Sequence, residues 1–70
     1  MNLPVQVFQR CFREATLEMQ QKFPDQALED LLELPNRREF FWVVMRQEAA
    51  LCGYVQTNND DPTSWIRVFK

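Results

Sequence analysis

The sequence predicts an α+β fold: two N-terminal helices followed by a three-stranded antiparallel sheet, with three helices plus a C-terminal β-hairpin as the alternative. Three observations carry this expectation. Val5, Phe8, Phe12, Ala15 and Met19 step by three, four, three and four residues, the spacing of one helical face. Pro24 and Pro35 bracket a leucine-rich segment in which Leu28, Leu31 and Leu32 form a second helical stripe. Beyond it, Phe40-Phe41-Trp42-Val43-Val44 and Trp65-Ile66-Arg67-Val68-Phe69 are dense in strand formers.

Asn2 and Pro4 mark the start of the first helix, because asparagine caps well and proline fits the first turn. The helix should stop near Lys22, since Pro24 pushes Phe23 out of the helical region. Cys11 sits at the edge of its apolar face, and Leu17 points away from it, among Arg10, Arg13, Gln20 and Gln21. Asp25–Leu34 is the second helix, with Asp25 favourably placed near its positive end and Pro35 closing it. Phe8, Phe12, Leu28, Leu31 and Leu32 are then the helix side of the core.

Residues 36–53 admit two conformations. Asn36 followed by Glu39 matches a capping box, and Gly53 suits a helix stop. A helix there would be apolar nearly all round at its start, more than so small a domain buries. That favours a strand over 39–46, a turn through Gln47-Glu48-Ala49 and a second strand over 50–57. Asn58 to Ser64 is a loop by composition, and 65–69 the third strand.

The order of two helices and then a hairpin written FFWVVMRQEAALCGYVQ, with its Gly-Tyr-Val element, resembles the front half of the GNAT acetyltransferase fold over residues 5–57. The resemblance implies this topology and no activity. The acetyl-CoA-binding loop and the helix after it, which define that family, have no counterpart here.

Residues 1–70 suffice for a single small domain, and 46% of them are apolar, which excludes a disordered or low-complexity chain. One glycine cannot write a P-loop or a dinucleotide fingerprint. The absence of histidine removes the usual proton shuttle and the commonest metal ligand. Ser64 is the only serine, and neither Cys11 nor Cys52 has an imidazole to activate it. No catalytic residue, cofactor or metal site is therefore expected, and the chain is read as no enzyme. Asn58, Asn59, Asp60 and Asp61 lack the alternation and central glycine of a calcium loop. No run approaches the roughly 18 apolar residues that span a bilayer. The N-terminus lacks a charged start before an apolar run, and two cysteines are too few for a disulfide scaffold. A cytoplasmic location with unpaired thiols follows as the expectation.

Net charge is −2, but unevenly spread. Asp25, Glu29, Asp30 and Glu33 form an acidic segment, and Arg37 and Arg38 open a basic one. Two short helices can cover only one face of a three-stranded sheet. The other face would expose part of Phe40, Phe41 and Trp42, with Arg37 and Arg38 at its rim. Such a surface is expected to bind a protein partner, a larger complex, with self-association into a homodimer as the competing cover. The acidic helix supplies a second contact surface through Asp25, Glu29, Asp30 and Glu33. The function expected is regulation or inhibition of a larger machine, in the manner of phage- or plasmid-type modulators of host complexes such as RNA polymerase. The alternative is a small nucleic-acid-binding transcriptional regulator. Only Arg37, Arg38, Arg46, Arg67 and Lys70 are available to line a phosphate groove, and the acidic helix opposes them.

Overall fold

Val5–Lys22 forms helix α1, Leu28–Leu32 the short helix α2 and Pro35–Leu51 helix α3, followed by strands β1 (Tyr54–Gln56) and β2 (Trp65–Arg67). The computed structural model describes residues 1–68. The α+β class holds in its alternative form, three helices and a C-terminal hairpin. The strands pair antiparallel with Tyr54 opposite Arg67, Val55 opposite Ile66 and Gln56 opposite Trp65.

The strand expected over 39–46 is helical, and with it goes the three-stranded sheet. Pro35 stands in the first turn of α3, where its missing N–H costs nothing. At the far end Cys52 is the C-cap and Gly53 takes φ 92°, the left-handed conformation that glycine reaches without strain. Between these stops Phe41, Val44, Met45 and Ala49 recur at helical spacing and are buried. The gain from packing them together outweighs the strand preference of the Phe40–Val44 run. Pro35 thus begins a helix rather than ending one. The hairpin resembling an acetyltransferase is absent, because its first arm and its turn both lie within α3.

Several boundaries shift for local reasons. Asn2 does not cap α1; Pro4 occupies the N-cap position, and its carbonyl accepts from the Phe8 N–H at 2.9 Å. The C-terminus falls at Lys22 as expected, with the Phe23 N–H donating to Met19 O at 2.8 Å. The second helix shrinks from Asp25–Leu34 to Leu28–Leu32, because residues 24–26 form a turn after Pro24. The expected third strand narrows to Trp65–Arg67, and its last residues fall partly outside the described chain.

The core joins Cys11, Ala15 and Met19 of α1 to Leu31 of α2 and to Phe41, Val44, Met45 and Ala49 of α3, with Tyr54 and Trp65 from the hairpin. Leu31 is fully buried as expected; Leu28 and Leu32 pack against the cluster half-buried. Phe8 and Phe12, expected in the core, stand at its margin. Cys11, Ala15 and Met19 are the α1 side chains that are fully buried, and the phenylalanines flank them. Both thiols are free. Among the described residues no helix is long and apolar enough to cross a membrane.

Candidate functional site: an aromatic groove

Phe8 and Phe12 lie one helical turn apart on α1 and stack with centroids 6.0 Å apart. Phe12 meets Phe41 of α3 edge-on at 5.5 Å, and Phe41 meets Trp42 edge-on at 5.8 Å. These separations and tilts are those that aromatic quadrupoles favour. Phe41 is the buried link of this four-ring row, while Phe8, Phe12 and Trp42 are 40%, 40% and 42% exposed. The row therefore carries an apolar surface across the seam between two helices.

Trp42 is also the shared wall of two adjoining grooves. One, of about 260 Å³, runs between Leu3, Phe8, Trp42, Met45, Pro62 and Trp65. The other, of about 230 Å³, is bounded by Glu39, Trp42, Arg46, Asp60 and Pro62. Each lies just below the roughly 300–1,000 Å³ of pockets that enclose small ligands. The first is apolar and sized for a side chain; the second is its charged rim.

Glu39 and Arg46 face one another at 3.8 Å across the Trp42 face of α3, with the Glu39 side chain largely in solvent. Asp60 lines the same groove. A single contact at that distance with Glu39 in solvent contributes little stability, so the Glu39 carboxylate stays available to an incoming charge.

The 58–64 loop that brings Pro62 to the groove is held by its own polar groups. Asn58 Oδ1 accepts from the Asp60 N–H at 3.0 Å, and Asp61 Oδ1 accepts from the Thr63 N–H at 2.9 Å and its hydroxyl at 2.7 Å. The Ser64 hydroxyl donates to Asn58 O at 2.8 Å, and Gln56 Nε2 donates to Asp61 O at 3.1 Å. The two Thr63 bonds hold the Asp61 carboxyl below the usual carboxylate range. The N-terminal segment closes the same wall: the Trp65 N–H donates to Met1 O at 3.0 Å, and the Met1 nitrogen donates to Trp65 O at 3.0 Å. Those acceptors serve the turn, and among the described residues no group of three acidic or cysteine side chains gathers as a metal shell.

The structure separates the residues that the sequence grouped on one sheet face. On a helix, Phe40, Phe41 and Trp42 point in three directions. Phe41 enters the core, half-buried Phe40 lies under the Lys22 ammonium at 5.0 Å, and only Trp42 reaches the groove. Arg37 stacks 4.2 Å over the Phe23 ring, and Arg38 donates from Nη1 to Leu32 O at 3.0 Å. Neither arginine lines either groove. Asp25, Glu29, Asp30 and Glu33 are exposed on and beside α2, and none makes an ion pair among the described residues. Sequence reasoning missed Phe8 and Phe12 as surface residues, having placed both inside. Their i, i+4 spacing fits a buried stripe equally well, so no local signal distinguishes the two placements.

No family model, curated protein or solved structure matches the chain.

Proposed function

We propose that this chain is a non-enzymatic binding module that regulates or inhibits a larger protein assembly, engaging it through the Phe8–Phe12–Trp42 surface and the groove beside it. The observation that carries this reading is the row of rings: three partly exposed aromatics made contiguous by one buried ring. Aromatic anchors in desolvated pockets supply most interface energy, and tryptophan is the most enriched of them. The partner feature that fits is an apolar side chain entering between Trp42 and Trp65, with a basic neighbour opposite Glu39 and Asp60. Charge at the rim would act on encounter, and the apolar anchor on residence time. A cytoplasmic partner, including the transcription machinery, belongs to this proposal.

Site-specific photocrosslinking from position 42 in native lysate, with position 26 as control, identifies the partner. Binding kinetics follow. Trp42→Ala and Phe8→Ala should each raise the off-rate of the identified complex, one of them by the roughly 30-fold that corresponds to about 2 kcal/mol. Unchanged rates in folded variants would place the interface elsewhere, with the acidic α2 surface next. Tight binding of random-sequence DNA or RNA near 0.15 M salt, steeply weakened by more salt, would favour the nucleic-acid alternative instead.

A further inference from the structure

We infer that the two grooves beside Trp42 take one short linear segment of a partner protein. An apolar side chain of the segment enters the Trp42–Trp65 groove, and an arginine of the same segment stacks on the Trp42 indole against Glu39 and Asp60. The inference rests on the binding reading above and names its occupant. Glu39, Trp42 and Arg46 are spaced by three and four residues on α3, so one stripe of the helix carries an indole between a carboxylate and a guanidinium. Trp42, Gln56 and Pro62 wall both grooves, so two side chains of one segment can enter side by side.

Charge assigns the two side chains. The first groove is lined by Leu3, Phe8, Met45 and Trp65 and by no charged group, so a charge entering it would lose its water without a partner. The second sets Glu39 and Asp60 against Arg46 alone, one negative charge in excess. Glu39 gives Arg46 a single contact at 3.8 Å, and exposed Asp60 makes no ion pair among the described residues. An incoming cation therefore finds carboxylates to pair with, whereas an anion finds only Arg46, which Glu39 already faces. Arginine suits the site better than lysine, because its flat guanidinium stacks on an indole while its N–H fork reaches a carboxylate.

The extent of the surface favours a segment over a second copy of this chain. Phe8, Phe12 and Trp42 are 40%, 40% and 42% exposed, which leaves on the order of 300 Å² of ring surface open. A stable dimer buries roughly 800 Å² on each partner. Two anchored side chains of a peptide match the smaller area.

Selecting phage-displayed random dodecapeptides on the folded chain, then measuring synthetic copies of the enriched peptide, tests this. Expected is an enriched pattern of one apolar residue and one arginine close together. Trp42→Ala should weaken the peptide by about 30-fold or more, and Asp60→Asn by about two- to fivefold, the second loss fading as salt is raised. Replacing the peptide's arginine by lysine should cost about threefold. Asp60→Lys should instead favour a peptide with glutamate in place of that arginine. Both positions are exposed, and circular dichroism checks that each variant keeps its fold. Enrichment without arginine, enrichment of acidic residues in its place, or equal binding to Trp42→Ala would overturn the inference. So would a solution dimer that shields Trp42 from acrylamide, or single-stranded oligonucleotides that displace the peptide. If the photocrosslinked partner loses affinity for Trp42→Ala while no selected peptide competes with it, the linear segment fails and the binding module stands. If neither partner nor peptide responds to Trp42→Ala, both fail.

Discussion

The Arg37 guanidinium sits 4.2 Å from the centroid of the Phe23 ring, so the first arginine of α3 fastens that helix to the link after α1. Its Nε is buried and finds no partner among the described residues. Arg38, beside it, holds the end of α2 through Leu32 O. The basic pair is thus a structural clasp where α2 meets α3.

Reversing that charge should cost stability. Arg37→Glu removes a part-buried cation–π contact and should lower folding stability by about 1–2 kcal/mol. Arg37→Met keeps the apolar stem, drops the unpartnered nitrogen and should lose less. Denaturant midpoints of the two variants, with a double-mutant cycle to Phe23→Leu, measure the pair. Coupling near zero would leave the stacking without energetic weight.

Truncations should separate the core from its margin. Phe41→Ala empties a site 2% exposed and should cost about 3–5 kcal/mol, most of the stability of so small a domain. Phe8→Ala, at the margin, should cost about 1 kcal/mol, because much of its surface is already in water. Equal midpoint shifts in urea would contradict the placement of both rings.

The two tryptophans report on different environments. Trp65 is buried and Trp42 half open. Trp42→Phe should leave blue-shifted emission resistant to acrylamide, and Trp65→Phe should leave red-shifted emission that acrylamide quenches readily. The same quenching in both single-tryptophan proteins would reject the groove as drawn.

Asp61 gives the hairpin loop a pH dependence. Its folded pKa is depressed below the unfolded value of about 4, so the folded state favours the carboxylate. The stabilisation is therefore complete above the unfolded pKa and disappears as pH falls through the lower folded value. Asp61→Asn should flatten this part of the stability profile between about pH 5 and 2, followed by denaturant midpoints across that range. A profile identical to the wild type would assign the acid sensitivity to other carboxylates.

How much of this was legible depended on whether a signal was local. The limits of α1 were nearly so, because Pro4 and Pro24 act on their own neighbours. Its buried face was not, since Cys11 and Ala15 count as small residues until α3 is known to lie against them. The expected strands over 50–57 and 65–69 contain β1 and β2, but residues 50 and 51 belong to α3 and the first arm over 39–46 is helical. In α3 the local signals oppose each other: Asn36 with Glu39 and Gly53 suggest the ends of a helix and Phe40 to Val44 a strand, and burial of Phe41, Val44 and Met45 together decides, with Pro35 in the first turn and no side-chain cap. The groove was the least legible, because it draws on Leu3, Phe8, Trp42, Pro62 and Trp65, which no period connects. Trp42 alone had been expected at the surface that now includes it.

The backbone pairing of Met1 with Trp65 has a consequence for behaviour at high concentration. Val55 and Ile66 sit opposite each other on the open face of the hairpin, an apolar pair on strands with unpaired margins. A hairpin of that kind invites another molecule to add a strand. Here Met1 already occupies hydrogen-bonding groups of Trp65, and each strand is three residues long. On the Trp65 side, a further strand would have to displace Met1, so edge-to-edge pairing there is opposed by a residue already in place.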